Sequence, residues 1–362
     1  MAPPRAPGSA ATITDVAAAA NVSIKTVSRV MNNEPGVRAD TREAVMKVMA
    51  ELKYRPKLSA RSLAGARSFL IGLLYYDPSA AFVAGLQQGA TVRCREAGYH
   101  LVVESLSDDA PDLPAQVDRV VSALRPDGMI LTPPLCDNPR VLKALRASGT
   151  PCVLLSPKKD LEDMASVRMD DVHAAEEITD HLIGLGHERI AFIQGAKDQI
   201  ASARRHQGFL RAMKAHHLVV HPELVQAGSF DYDSGVEAAR RLFDLPVRPT
   251  AVFASNDDMA LGVLAEAGRR RLAVPGDVSI AGFDDSPASR LVWPPLTTVR
   301  QPTGDMARVA VEMLIATQRP DAAAIEAGTP DTTPTPHRVI PHEIVVREST
   351  GPLVVAKGRR RA

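Results

Sequence analysis

Cysteine is scarce in this chain of 362 residues: Cys94, Cys136 and Cys152 are the only three, an odd number with no CxxC pair. Neither a disulfide framework nor a zinc site is expected from such a set, and a reducing cytoplasm is the natural compartment. Long apolar runs are missing as well. No stretch approaches the ~18 apolar residues of a membrane span, and residues 1–11 are rich in Pro and Ala without the apolar core of a secretory leader. Net charge is nearly absent at +1, but the balance conceals an asymmetry. Residues 1–68 hold 11 Lys and Arg against 5 Asp and Glu, and the remainder hold 32 against 37. A basic head on an acidic body suits a polyanion such as DNA, although charge alone fits a membrane surface or a solvated face equally well.

What is present is a chain with 45% hydrophobic and 23% charged residues, long enough for two or three domains with full cores. Residues 12–54 read as three short helices. Thr12 can cap the first and Ser23 the second, 24–31, with a polar turn at Asn21-Val22-Ser23 between them. A third helix is expected over about 40–52, with Asp40 as its cap. The small-residue segment 58–68 is too short for a stable helix alone and reads as a linker. After Phe69 the rhythm changes to strand-length apolar runs at 69–76, 100–106, 128–134, 152–156, 189–194, 251–255 and 278–283. Between them, 79–97, 112–124, 138–148, 172–185, 201–216, 233–244 and 257–270 have helical length and pattern. Strands that are apolar throughout are buried on both faces, which means parallel sheets flanked by helices. Ligands of such sheets bind beyond the carboxyl ends of the strands, where Asp77, Asp170, Asp171, Asn256, Asp257, Asp284 and Asp285 collect. Residues 320–335 read as a loop and 351–362 as a frayed basic tail.

Two helices joined by a three-residue turn let the second lie in the major groove of DNA while the first crosses the backbone. The string Thr12-Ile13-Thr14-Asp15-Val16-Ala17, then Val22-Ser23, Thr26-Val27-Ser28-Arg29-Val30, Asn32 and Thr41-Arg42, resembles the lactose-repressor (LacI/GalR) family. The likeness runs on through Tyr54, Pro56, Ala60, Leu63 and Ala64 and across the body nearly to Thr350. It implies a small all-α helix-turn-helix head at 12–57, a hinge at 58–68, and an α/β periplasmic-binding-protein-like body at 69–350 with two doubly wound parallel-sheet subdomains. The first of these is expected at about 69–167 with 301–332, the second at about 168–300 with 333–350.

The resemblance also implies roles. Ile24, Lys25 and Arg29 would face base edges, where an arginine can grip guanine with two parallel hydrogen bonds; Ser23, Thr26, Ser28, Asn32 and Thr14 would meet phosphates. Leu63 would enter the minor groove as an apolar wedge. In the body, Arg205 would grip the ligand, Asn256 and Asp284 would bond it, and Phe230 would stack on its apolar face, with Asp77, Phe82, Thr132 and Ser156 nearby. Asp, Asn and Arg with an aromatic platform suit a polyhydroxylated ligand, so the expected protein is a homodimeric repressor that a sugar-type inducer releases from pseudo-palindromic operator DNA. A co-repressor-dependent or nucleoside-sensing regulator is the alternative within the family. Outside it, the paired carboxylates could suggest a glycosidase, but they are adjacent in sequence, and no nucleophile elbow or metal-ligand spacing accompanies them. A transport binding protein would share the body but lack the head. No metal or cofactor is expected, and no C-terminal leucine heptad points to assembly beyond a dimer.

Overall fold

The computed structural model describes residues 11–31, 36–54, 67–76, 79–106, 111–318 and 335–353. Residues 1–10, most of the expected hinge, Asn32, Leu63, Asp77, most of the 320–335 loop and the tail from 354 lie outside the described residues. Two compact units are formed, one from residues up to Phe69 and the other from nearly all of the rest.

The head contains α1 (Ile13–Ala19), α2 (Ile24–Met31) and α3 (Ala39–Glu51). Thr12 starts α1 with a capping box, in which Thr12 and Asp15 satisfy each other's backbone N–H groups. Asn21 turns the chain with a φ of +54°, a left-handed conformation that asparagine tolerates well, and the Ser23 hydroxyl then accepts the Thr26 N–H at 3.1 Å to open α2. The expected Asp40 cap is not formed. Arg38 is the N-cap of α3 and makes no side-chain bond, while Asp40 already lies in the first turn, where its charge meets the positive helix end. Val16, Val27, Val30, Val45 and Tyr54 are buried together at the centre of the head.

The body is built from two parallel sheets. The first contains β1 (Leu70–Tyr75), β2 (His100–Ser105), β3 (Gly128–Leu131), β4 (Cys152–Leu155), β5 (Ala165–Arg168) and β11 (His337–Val339), in the order β11-β5-β4-β3-β1-β2. The second holds β6 (Ile190–Ile193), β7 (Val225–Gln226), β8 (Ala251–Ala254) and β9 (Ser279–Ala281), in the order β7-β6-β8-β9. Both sheets begin the same way, with the second strand outside the first and the third on its other side. Each therefore has a switch point, and the loops that follow neighbouring strands diverge there to leave a crevice. Central strands β3, β6 and β8 are buried at every position, as their unbroken apolar sequences require.

The connecting helices are α4 (Ala80–Glu96), α5 (Leu113–Leu124), α6 (Pro139–Ser148), α7 (Asp171–Gly184), α8 (Ile200–Ala215), α9 (Tyr232–Phe243) and α10 (Asp257–Arg269). Side chains of Asn138, Asp170, Asp231 and Asn256 cap α6, α7, α9 and α10. Beyond β10 (Thr298–Arg300) the chain returns to the first sheet as α11 (Thr303–Thr317), which packs on α4 and against β3, β4 and β5. That approach requires glycine: a Cβ on Gly89 would lie 2.1 Å from the Gly304 carbonyl oxygen.

The last crossing differs from expectation. Residues 337–339, anticipated in the second subdomain, run parallel to β5 as the edge of the first sheet, because β5 still offers an unpaired ladder there. Only after them does the chain cross, as β12 (Glu343–Val345) antiparallel to β10. It then reaches the second sheet, where the Ile280 N–H donates to the Ser349 carbonyl at 2.8 Å. Among the described residues, no helix is long and apolar enough to cross a membrane.

Candidate functional site

On α2 the buried residues are Val27 and Val30. At 100° per residue they define one side of the helix, Lys25, Ser28 and Arg29 fall on the other, and Ile24 lies at the boundary. Ile24 is 48% exposed, an apolar side chain held in water at the start of this helix. Lys25 and Arg29 are exposed too, as is Thr14 on α1. Ser23 and Thr26 share a hydroxyl hydrogen bond of 2.9 Å, so part of their capacity goes to opening the helix. The head thus presents one side of α2 carrying two cations, hydroxyls and one apolar contact, a mixture suited to base edges and phosphates.

In the body, a cleft enclosing about 550 Å³ of non-protein volume, its mouth included, opens where the loops following the strands of both sheets meet. Tyr76, Pro133, Ser156 and Asp171 reach it after β1, β3, β4 and β5; Gln199, Phe230, Asn256 and Asp284 reach it after β6, β7, β8 and β9. Ser79, Phe82, Ala201 and Gln301 complete the wall beside Arg205. Several of these residues sit in left-handed backbone: Ser156 at φ +46°, Phe230 at +65° and Asp284 at +132°. Such conformations persist only where the surroundings enforce them, and they concentrate at ligand sites. At Phe230 the enforcement is visible. Its carbonyl accepts the Asn256 side-chain amide at 2.8 Å, and its ring occupies the space a Cβ on Gly195 would need, 2.0 Å away.

Arg205 is 4% exposed. Its Nε donates to Asp171 Oδ1 at 3.0 Å, its Nη1 donates to the Ser255 carbonyl at 2.6 Å, and its guanidinium stacks 3.7 Å over the Phe283 ring. Nη2 makes no hydrogen bond among the described residues. Asp284 lies 3.9 Å from Arg205 Nη1 and accepts a bond from the Gln301 amide. Burial pushes the Asp284 carboxyl well above the usual range, outweighing the charge of Arg205, and it likewise raises Asp257 against the Thr298 and Ser286 donors. The upward shift favours the neutral carboxyl, a form that can donate as well as accept, which suits a ligand hydroxyl. Asp257 is directed to Thr298 Oγ1 and the Ser286 N–H and does not line the cleft.

The structure therefore brings Arg205, Phe230, Asn256, Asp284, Phe82 and Ser156 to one cleft. Thr132 is not among them: it is buried at 1% exposure with its hydroxyl toward the Pro133 carbonyl, and Pro133 forms the wall instead. Asn256 serves first as a helix cap, its Oδ1 accepting the Met259 N–H at 3.0 Å. Sequence reasoning missed Ser79, Gln199 and Gln301. Ser79 and Gln199 are the N-cap residues of α4 and α8, yet neither side chain caps its helix. Ser79 Oγ and Gln199 Nε2 are buried against the cleft without a hydrogen-bond partner. Their position just before a helix, after a strand, is a signal the sequence does carry; the lack of a partner is not.

Comparison with known proteins gives the same two parts. Residues 12–57 match the profile of bacterial regulatory proteins of the lacI family, and 179–350 match the periplasmic binding protein-like domain. Catabolite control protein A of Priestia megaterium is 34% identical over 340 residues, covering 94% of this chain and 99% of that protein. The solved complex of the transcriptional regulator CelR with cellobiose superposes with a TM-score of 0.68 at 32% identity, covering 94% of this chain and 99% of the other. The lac repressor dimer bound to operator and the anti-inducer ONPF gives 0.72 at 26% identity, covering 95% and 100%. With a helix-turn-helix head, a cleft between paired parallel sheets and identity sustained over nearly its whole length, this chain belongs to the lacI family of bacterial regulatory proteins.

Proposed function

We propose that this chain is a cytoplasmic, homodimeric repressor of carbohydrate-use genes, which a sugar-type inducer releases from pseudo-palindromic operator DNA without being turned over. The cleft carries the reading. Two buried, unpartnered polar groups, Ser79 Oγ and Gln199 Nε2, stand with Arg205, Asn256 and Asp284 around the aromatic walls Tyr76, Phe82 and Phe230. A buried polar group without a partner is costly, and a polyhydroxylated ring supplies both the missing partners and an apolar face to stack on the aromatics. CelR, similar along nearly the whole chain, was solved with cellobiose, which favours a sugar. In the head, Arg29, Lys25 and Ile24 read bases while Thr14, Ser23, Thr26 and Ser28 hold phosphates. Asn32, Leu63 and Asp77 keep phosphate, minor-groove and ligand roles by resemblance alone. Switching needs a ligand that binds two arrangements of the sheets with different free energies, and the three crossings between the sheets are the natural hinge.

The test is an operator selected from random DNA, with its complex followed by fluorescence anisotropy as sugars are added. A sugar that weakens the complex supports induction; one that tightens it, or a response to nucleosides alone, overturns that direction or ligand class. In the same assay Arg29→Ala is expected to lose about 1–3 kcal/mol of discrimination between operator and random DNA. Equal loss on both DNAs would refute base reading by Arg29.

A further inference from the structure

A second cavity, adjoining the effector cleft at Asp171, encloses about 670 Å³ of non-protein volume, its mouth included, at the hinge between the two sheets. Lys158 and Lys159 line it from the loop after β4, Arg168, Asp170 and Asp171 from the end of β5 and its crossing into α7, and Arg204 from α8. Most of its acids are already committed. Asp160 pairs with Arg168, Asp171 pairs with Arg205 at 3.0 Å, and Asp170 accepts the His173 N–H as the cap of α7. Arg168 is committed with Asp160, but the other three cations have no carboxylate partner among the described residues. Lys158 and Lys159 are exposed and have no carboxylate at ion-pair distance among the described residues. Arg204 crosses the hinge, its Nη2 donating to the Pro157 carbonyl at 2.8 Å and the Lys158 carbonyl at 3.0 Å, while its Nη1 is buried with no acceptor.

We propose that this hinge cavity is a binding site for a phosphate oxyanion, free or as the phosphoryl group of a metabolite. Lys158 and Lys159 from one half of the body and Arg204 from the other line it without a carboxylate partner among the described residues, opposed by one carboxylate, Asp170, that is free of any cation. That surplus fits a dianion with several acceptor oxygens better than it fits a carboxylate, and charge-assisted bonds of this kind are the strong ones. An anion held by Lys158, Lys159 and Arg204 would tie the first sheet's loop to α8. Asp171 lines both this cavity and the cleft, where it holds Arg205. Occupancy here would therefore alter effector affinity, and the effector would alter anion affinity by the same factor. The proposal depends on neither the identity nor the direction of the effector.

The experiment titrates the full chain with inorganic phosphate and, separately, with glycerol 3-phosphate, following the unfolding temperature at an ionic strength fixed with KCl. Stabilisation beyond that of KCl is expected, with its midpoint about tenfold higher in K158Q/K159Q. The two lysines are exposed, so the variant should fold as the wild type does; Arg204→Gln, a second variant, should shift the midpoint in the same direction. A tighter midpoint for glycerol 3-phosphate assigns the site to a phosphorylated metabolite, and equal midpoints assign it to free phosphate. Superimposable titrations of wild type and K158Q/K159Q, or no stabilisation beyond KCl by either probe, would overturn the site.

Discussion

Replacing Arg205 by alanine is expected to cost the body about 3–5 kcal/mol and to abolish the response to effector together. Arg205 is not simply a hand extended to the ligand. Its removal leaves the Asp171 carboxylate, 3% exposed, without its cation, strips a donor from the Ser255 carbonyl, and uncovers the Phe283 ring. Urea unfolding measures the first effect and operator release the second. A double variant, Arg205→Met with Asp171→Leu, separates them, because exchanging a buried ion pair for apolar side chains of similar size is often close to neutral in stability. That protein should recover most of its stability yet remain blind to effector. Effector response in the double variant would show that Arg205 holds the cleft together and does not touch the ligand.

Asp285→Ala is the other large loss, again about 3–5 kcal/mol. The Asp285 side chain is nearly fully buried, and it gathers Arg290 at 2.7 Å, Arg300 at 2.7 Å and Arg347, thereby joining the turn after β9, the strand β10 and the segment after β12. Burial alone would raise this carboxyl; the bonds from Arg290, Arg347 and Arg300 prevail and hold it at about 2, against an ordinary value of 3.8. The folded-state pKa is depressed, so the stabilisation is fully present above the ordinary value and is lost as pH falls through about 2. The shift corresponds to about 2 kcal/mol. Asp285→Asn should remove this share of the acid-side loss, so stability measured between neutral pH and pH 2 should fall less steeply than in the wild type. An unchanged slope would show that the acid sensitivity lies in other carboxylates.

Much of the fold was legible in the sequence because the signals are local. Apolar runs of strand length alternate with amphipathic helices, and each of the seven expected strands and helices of the body lies within a few residues of its anticipated place. Helix caps were readable for the same reason: Thr12 and Ser23 each act within three residues of themselves. The head's Asp40 misled because a residue suited to capping is equally suited to the first turn, and only the backbone at Arg38 decides between them. The strands β5, β7 and β12 escaped because each contains a polar or charged residue, so no unbroken apolar run marks it.

The sequence by itself determined the family, the two-part organisation and the rule that ligand groups stand at the carboxyl ends of parallel strands. Each of these follows from residue order or from the period of a short segment. The tertiary structure decided which strand-end residues share a cleft. It set Thr132 behind Pro133, turned Asp257 away toward Thr298, and joined Gln301 to Asp284. It also placed 337–339 on the first sheet and left the side chains of Ser79, Gln199 and Arg204 each with a buried, unmatched polar atom. Such outcomes depend on the pairing of segments far apart in the chain, and whether a buried polar atom finds a partner is settled only when those segments meet.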